Sequence, residues 1–332
     1  RKNCTGQKMK CGIRVCRLLR LNKMHRNSNR LPAHVKPTQY HLKIQPNLAD
    51  FSFTGSEVIN VAISEKTKQI VLHSLDLKIT EAKIVIGQLS QKAKVTYQTK
   101  AETITLTFAK PVSGKVRLYL DFTGVINDQL RGLYRSKYVH QGKEKYLAIT
   151  QFEATDARRA FPCFDEPAHK AIFEVEVIVP EHHSVISNTV ETSVQPHSSG
   201  YKIVRFAPTP KMSTYLLAMI IGELEHLSAT SKRGVKIRIH TTARNKIQGK
   251  FALGFTKKAL DYLENYFGIH YPLPILDLIA IPDFSSGAME NWGAITFRET
   301  LLLVDDNKSP FTQKQRVAEV IAHELVHQWF GN

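Results

Sequence analysis

The stretch 323–332 reads His323-Glu324-Leu325-Val326-His327-Gln328-Trp329-Phe330-Gly331-Asn332. Residues four apart share one face of an α-helix. If this stretch is helical, His323 and His327 can present two imidazoles to one metal ion. Glu324 then lies beside them, where it can accept a proton. This HExxH pattern is typical of zinc metallopeptidases, in which the metal activates a water molecule.

The residues before the motif predict the helix that the chemistry requires. Ser309 is expected as the N-cap and Pro310 as the first helical residue. Further on, Val317, Ile321 and Leu325 recur every fourth residue and form an apolar stripe. The stripe predicts a helix packed on a core, with the two histidines on an adjacent face. The alternative is an ordinary helix that carries two incidental histidines.

A second motif, Gly287-Ala288-Met289-Glu290-Asn291-Trp292-Gly293, lies between strand-like runs at 276–281 and 294–304. Its flanking glycines let the backbone turn sharply and approach a ligand closely. A glutamate in such a loop can accept a charged hydrogen bond from an ammonium group. Taken alone, the segment could be an ordinary Gly/Asn turn. Only 32 residues separate Glu290 from His323, and the pair of motifs together is far more specific.

With these motifs, the chain resembles the M1 family of zinc aminopeptidases, which pair GxMEN with HExxH. The segment 151–167 resembles a signature of that family's N-terminal domain, and residues 31–40 resemble its beginning. The resemblance implies an α+β multidomain fold. It consists of a β-sandwich-like N-terminal domain over 31–222, followed by a truncated thermolysin-like catalytic domain over 223–332.

The resemblance also implies a role for each motif residue. His323 and His327 would bind one Zn²⁺, and Glu324 would be the general base. Glu290, helped by Gln151, would hold the free α-amine of a peptide substrate. The remaining residues implied in substrate binding are Gly287, Ala288, Met289 and Asn291.

In the family, a third zinc ligand, a glutamate, and a transition-state tyrosine lie beyond the position of Asn332. We therefore expect a zinc aminopeptidase of which this chain is an inactive N-terminal fragment. Two alternatives remain. One is a non-catalytic M1-like interaction protein or pseudogene product, and the other is a related gluzincin with epoxide hydrolase activity.

The charge of the chain is unevenly distributed. The net charge is +17, and residues 1–30 hold ten Lys or Arg and no acid, which leaves +7 on the other 302 residues. This basic leader could be an arm for nucleic acid or anionic membrane, a weak mitochondrial presequence, or a disordered or non-native segment. We favour the last and expect no nucleic-acid partner.

The chain contains no apolar run long enough to span a membrane. Cys163 is the one cysteine outside the leader, so no disulfide framework is indicated, and a cytoplasmic location is expected. The sequence does not indicate an oligomeric state.

Hydrophobic periodicity changes along the chain. From about residue 40 to 222 the period is two, as in an antiparallel sandwich, with separate strands expected at 104–108 and 116–122 and a buried strand over 213–221. After an alternating strand at 235–239, residues 250–267 take helical spacing, and Gly268 is expected to end that helix. Tyr262 and Tyr266 are expected to pack.

Overall fold

The computed structural model describes residues 30–243, 245–305 and 307–332. Pro32–Asn332 form one compact unit. The basic leader lies outside the described residues except for its last member, Arg30. In the described part of the chain, no helix combines the length and apolar character that crossing a membrane requires.

The described residues are mostly β-strand, with few helices. Up to residue 222 the strands are β1 (Val35–Asn47), β2 (Ser52–His73), β3 (Lys78–Ile86), β4 (Leu89–Lys92), β5 (Lys94–Gln98), β6 (Thr103–Val125), β7 (Gly132–His140), β8 (Lys143–Gln151), β9 (Ile172–Pro180), β10 (Ser184–Ser187), β11 (Glu191–Ser198), β12 (Tyr201–Phe206) and β13 (Met219–Gly222). After it come β14 (Glu225–Thr230), β15 (Lys236–Thr241), α1 (Lys250–Phe267), β16 (Ile275–Ile281), β17 (Ala288–Met289), β18 (Ala294–Arg298) and α2 (Phe311–His327).

Nine strands form one sheet in the order β11-β12-β9-β1-β2-β6-β3-β4, with β5 paired to β6. β1 and β9 run parallel. Alternate residues along β1, including Tyr40, Leu42 and Ile44, are buried, and their neighbours are more exposed. The period of two in the sequence therefore reflects a sheet with one face on the core and one face towards solvent.

Four strands form a second, antiparallel sheet in the order β10-β13-β8-β7. The first residues of β8 are exposed and its last five are buried, so this strand runs from the surface into the interior. An aromatic cluster extends from there to the large sheet. Phe152 contacts Phe161, which contacts Tyr40, and Tyr40 stacks on Phe173 with ring centroids 4.8 Å apart.

The third sheet follows residue 222, in the order β14-β15-β16-β18-β17, and its three central strands are parallel. Every residue of β16 is buried, as expected for a strand covered on both faces. This includes Asp277, whose carboxylate accepts two hydrogen bonds of 2.6 Å from Arg238. The helices α1 and α2 pack against each other and share one apolar core with this sheet.

Three predicted elements have different bounds. The expected separate strands at 104–108 and 116–122 are one strand, β6, whose pairing with β2 is irregular between Thr107 and Val112. The expected buried strand over 213–221 is wrong in its first part, because Thr214–Leu216 form a 3₁₀ turn before the short β13. The run 294–304 is strand only as far as Arg298, and a 3₁₀ turn follows.

The helix predicted over 250–267 is confirmed as α1. Gly268 ends it in the left-handed conformation with φ of 64°, which glycine adopts without strain. Tyr262 and Tyr266, which are expected to pack, are 64% and 69% exposed, and their rings stack on each other on the outer face of α1. Four-residue spacing placed them together but could not show which face of the helix was outward.

Candidate active site

The helix α2 presents the HExxH residues beside its apolar stripe. Val317, Ile321 and Leu325 are completely buried, and each such side chain contributes about 1.5–3 kcal/mol to folding. The predicted start is wrong by one residue, because the helix begins at Phe311 with Pro310 in the N-cap position. Ser309 does not cap the helix. Its hydroxyl accepts a hydrogen bond from the backbone N–H of Asp305 and closes the preceding loop.

The two predicted metal-binding histidines face each other on consecutive turns of α2. The Nε2 atoms of His323 and His327 lie 3.2 Å apart. The Nδ1 atom of His327 lies 3.1 Å from the carbonyl oxygen of Phe330. When Nδ1–H donates to that carbonyl, the lone pair of Nε2 is left free to bind a metal.

This spacing fits a zinc ion. Zn–N bonds are about 2.0–2.1 Å long, and two ligands at a tetrahedral angle are therefore about 3.3–3.4 Å apart. The observed 3.2 Å between the two Nε2 atoms is close to that value. One ligand atom from each of Glu290, Glu324 and His327 also lies within 4.8 Å of the others, so two carboxylates lie close to one of these imidazoles. Imidazole and carboxylate are both ligands that zinc accepts.

Glu324 lies on the inner side of this group. It is 5% exposed, and its Oε2 atom is buried with no hydrogen-bond partner among the described residues. Burial raises the pKa of Glu324 to about 8, and the negative charges of Glu290 and Glu153 contribute to the rise. A carboxyl group in this environment is well suited to accept and return a proton near neutral pH.

The loop that carries Glu290 is fixed to the end of α2. The side-chain amide of Gln328 donates to the backbone carbonyls of Glu290 and Glu324, and its oxygen accepts from the N–H of Gly293. Gln328 is 4% exposed, so these bonds lie in the interior. No pattern in the sequence indicates this role. This residue holds the two motifs in register.

Gln151 is the last residue of β8, two residues before Glu153. It is 5% exposed, and its Oε1 atom has no partner among the described residues. The hairpin β7–β8 is held to the loop before the second motif. Tyr134 donates to the carbonyl of Asp283, and the backbone N–H of Lys137 donates to the Asp283 carboxylate. These bonds join the hairpin that carries Gln151 to the loop that precedes the motif with Glu290.

Glu153 is a site residue that the sequence analysis missed. Partial burial and the charge of Glu290 raise the pKa of Glu153, and its interaction with His327 lowers it. Its carboxylate therefore lies within electrostatic reach of both residues. A signal was present, because Glu153 follows Gln151 by two residues in the segment 151–167. With Glu290 and Glu324, it gives the site three acidic groups, which suit a cationic ligand.

The remaining predicted substrate-binding residues surround Glu290. Ala288 is partly exposed, and Met289 is completely buried; the two residues form β17, which pairs with β18. Asn291 is 2% exposed, and its side chain donates to the hydroxyl of Thr296. Gly287 accepts a backbone hydrogen bond from Arg298. The structure thus brings the predicted loop residues together, although Met289 and Asn291 face the interior.

The chain matches known proteins along most of its length. Residues 36–216 match the Peptidase M1 N-terminal domain, and residues 251–332 match the Peptidase family M1 domain. The chain is 46% identical over 308 residues to a puromycin-sensitive aminopeptidase of Caenorhabditis elegans, which covers 91% of this chain and 32% of that protein.

Two further relatives show the same pattern. Aminopeptidase M1 of Arabidopsis thaliana is 43% identical over 311 residues, or 91% of this chain and 35% of the relative. Endoplasmic reticulum aminopeptidase 2 of Bos taurus is 43% identical over 317 residues, or 91% of this chain and 33% of the relative. The chain thus spans about a third of the length of these relatives.

Proposed function

Because the chain belongs to peptidase family M1, we propose that the protein carrying it is a zinc-dependent aminopeptidase that removes the N-terminal residue from peptides. The observation that supports this most directly is the convergence of Glu290, Glu324 and His327 within 4.8 Å, next to His323. The site then contains two imidazoles that can bind a metal. It also contains separate carboxylates that can transfer a proton and bind an amine.

His323 and His327 would hold the zinc ion through their Nε2 atoms. When bound, the ion polarises a carbonyl group and lowers the pKa of a water molecule to about 7. Glu324 would take a proton from the attacking water and return it to the leaving amine. Glu324 is buried beside these groups, where it can hold the proton between the two transfers.

Glu290 would bind the free α-amine of the peptide, with Gln151 and Glu153 beside it. A carboxylate accepts strong charge-assisted hydrogen bonds from an ammonium group. An interior peptide bond has no such group, and its binding would leave the half-buried Glu290 without a charged partner. This arrangement would restrict cleavage to the first residue. Ala288 would line the pocket for that residue, while Gly287, Met289 and Asn291 would shape the loop from behind.

We also propose the division into an N-terminal domain over 31–222 and a catalytic domain that begins at 223. The division is supported by the sheets, because two of them use strands up to Gly222 and the third uses strands from Glu225 onwards. On this proposal the first domain is sandwich-like. The second is the start of an α+β, thermolysin-like domain in which β14–β18, α1 and α2 carry the site.

The isolated 332-residue chain is proposed to be inactive. Among the described residues, His323 and His327 are the imidazole ligands near the site. The carboxylates beside them are assigned to proton transfer and to binding of the substrate amine. Two ligands alone bind zinc weakly.

A cytoplasmic location is also proposed, supported by the buried free thiol of Cys163. Fractionation of cells would test it.

The activity is tested with the natural protein that carries this chain, at its full length. An aminoacyl 4-nitroanilide and its N-acetylated form are compared as substrates, with and without a zinc chelator. We expect chelator-sensitive hydrolysis of the free-amine substrate, at least about 100-fold faster than hydrolysis of the acetylated form. Equal rates on the two substrates, or no hydrolysis of either, would contradict the proposal.

A further inference from the structure

A second group of metal-binding side chains lies outside the candidate active site. It consists of His182, His183 and Glu223, and one ligand atom from each lies within 4.8 Å of the others. The two histidines precede β10, and Glu223 follows β13. These strands pair antiparallel with Ser184 opposite Gly222, so His183 and Glu223 are the next pair outward. Strand pairing therefore fixes the positions of two of the three residues.

This group is separated from the candidate active site by the length of β8. Lys145, near the start of that strand, forms an ion pair with Glu223. Gln151 is at its end, two residues before Glu153, which lies within electrostatic reach of Glu290 and His327. Six residues of β-strand span about 20 Å. A ligand bound between His182, His183 and Glu223 is therefore remote from the HExxH histidines.

We propose that His182, His183 and Glu223 form a second metal site, which binds a divalent transition metal ion such as Zn²⁺ and joins the turn before β10 to the end of β13. Two imidazoles and one carboxylate are ligands that zinc, nickel and copper accept. The ring centroids of His182 and His183 lie 4.3 Å apart at 66°, so both rings already lie close together. Small side-chain movements would bring the three ligand atoms close enough to bind one ion.

The group is open to solvent on one side. His182 is exposed, whereas His183 and Glu223 are half-buried. The exposed side leaves a path by which an ion can enter.

Lys145 has two opposing effects on this site. Its ammonium group donates to Oε2 of Glu223, which orients the carboxylate and leaves Oε1 for the metal. The same positive charge repels a divalent cation at short range. We infer that the repulsion is larger, so that the site has modest affinity and removal of the charge strengthens binding.

The test is zinc binding to the full chain by equilibrium dialysis at buffered free Zn²⁺. The wild type is compared with Glu223→Gln, with the double variant His182→Ala/His183→Ala, and with His197→Ala, which removes an exposed histidine elsewhere. We expect the double variant to bind one equivalent fewer and Glu223→Gln to bind that equivalent about tenfold more weakly. His197→Ala should be unchanged. Identical binding in the wild type and Glu223→Gln would overturn the proposal.

Glu223→Gln keeps the size and the hydrogen-bond acceptor of the side chain, so it reports on the site even if the double variant fails to fold. Lys145→Met is the second test, and it removes the positive charge beside Glu223. We expect it to bind the second equivalent about tenfold more tightly than the wild type, because the repelling charge is gone. Unchanged binding in Lys145→Met would overturn the assignment of Glu223 as a ligand beside that charge.

Discussion

The Nε2 atoms of His323 and His327 lie 3.2 Å apart on one face of α2, and His327 is oriented through its other ring nitrogen by the carbonyl of Phe330. The helix behind them is held by Val317, Ile321 and Leu325, which are fully buried. The separation of the imidazoles therefore follows from helix geometry and core packing, and it matches the spacing that a tetrahedral ion requires.

Replacement of one of these ligands should remove zinc from the HExxH site. His323→Ala in the full-length protein is expected to weaken zinc binding there by more than about 100-fold. Loss of a ligand costs more affinity than loss of a residue that only orients a ligand. Chelator competition measures the affinity in a Glu223→Gln background, which weakens the second proposed site. His226→Ala removes an exposed histidine and is the control. Unchanged affinity in His323→Ala would refute the assignment.

Glu324→Gln should separate proton transfer from metal binding. In the full-length protein we expect kcat to fall by about 10²–10⁴-fold with zinc content unchanged, because the amide cannot accept the proton from water. Glu319→Gln makes the same change on an exposed part of α2, where Glu319 pairs with Arg316, and should retain activity. A Glu324→Gln enzyme with normal kcat would show that another group is the base.

Glu290→Gln should reduce selectivity for a free amine. A hydrogen bond to a charged group contributes about 1.5–3 kcal/mol, so kcat/KM of the full-length protein for an unblocked substrate should fall roughly 10- to 150-fold. The rate on the N-acetylated substrate should change little, and the ratio of the two rates measures the effect. Glu144→Gln, an exposed change near the start of β8, is the control. An unaltered ratio would exclude Glu290 as the amine ligand.

Local patterns predicted the elements that carry the site. The fourfold spacing of Val317, Ile321 and Leu325 identified α2, and helical spacing followed by Gly268 identified α1. Alternation identified the strands, although it divided β6, because the chain stays extended where its pairing with β2 is interrupted. These patterns involve residues that are close together in the sequence, so they predict local structure.

Contacts between distant residues were not predictable in this way. Gln328 bonds to the backbone of Glu290, 38 residues away, and nothing in its neighbourhood distinguishes it from a surface glutamine. Glu153 acquires its role only when β8 is placed next to the second motif. The outward direction of Tyr262 depends on which face of α1 meets α2, and that is set by the whole core.

Gly293 should be intolerant of a side chain. Its φ is 79°, and a Cβ atom would lie 2.2 Å from the backbone oxygen of Asn188. Gly293→Ala therefore combines backbone strain with a clash against another strand's end, and we expect a loss of at least about 2 kcal/mol in the free energy of unfolding.

Gly254 provides the matched control for that substitution. It lies within α1, and a Cβ atom there would meet nothing within 4 Å. Gly254→Ala should stabilise the chain by about 0.5–1 kcal/mol, because alanine is the better helix former. Urea denaturation of the two variants measures both changes. A stable Gly293→Ala chain would show that the backbone of Asn188 can move away.

Glu57 should make the stability of the chain depend on pH. It is 2% exposed on β2, and neither carboxylate oxygen has a partner among the described residues. Burial raises the pKa of Glu57 well above its usual range. The folded chain therefore keeps this proton at a pH where the unfolded chain, with a glutamate pKa of about 4.3, has lost it. Stability is fully present below the unfolded value and falls as pH rises towards the folded value.

Glu57→Gln removes this proton uptake while preserving the shape of the side chain. The variant should be close to the wild type in thermal stability at pH 4 and progressively more stable from pH 5 to pH 8. While the folded state stays protonated, the difference in unfolding free energy grows by about 1.4 kcal/mol per pH unit. Glu65→Gln makes the same change at an exposed position of β2 and should show no such trend. A difference that stays constant or shrinks with rising pH would mean that Glu57 is ionised in the folded chain.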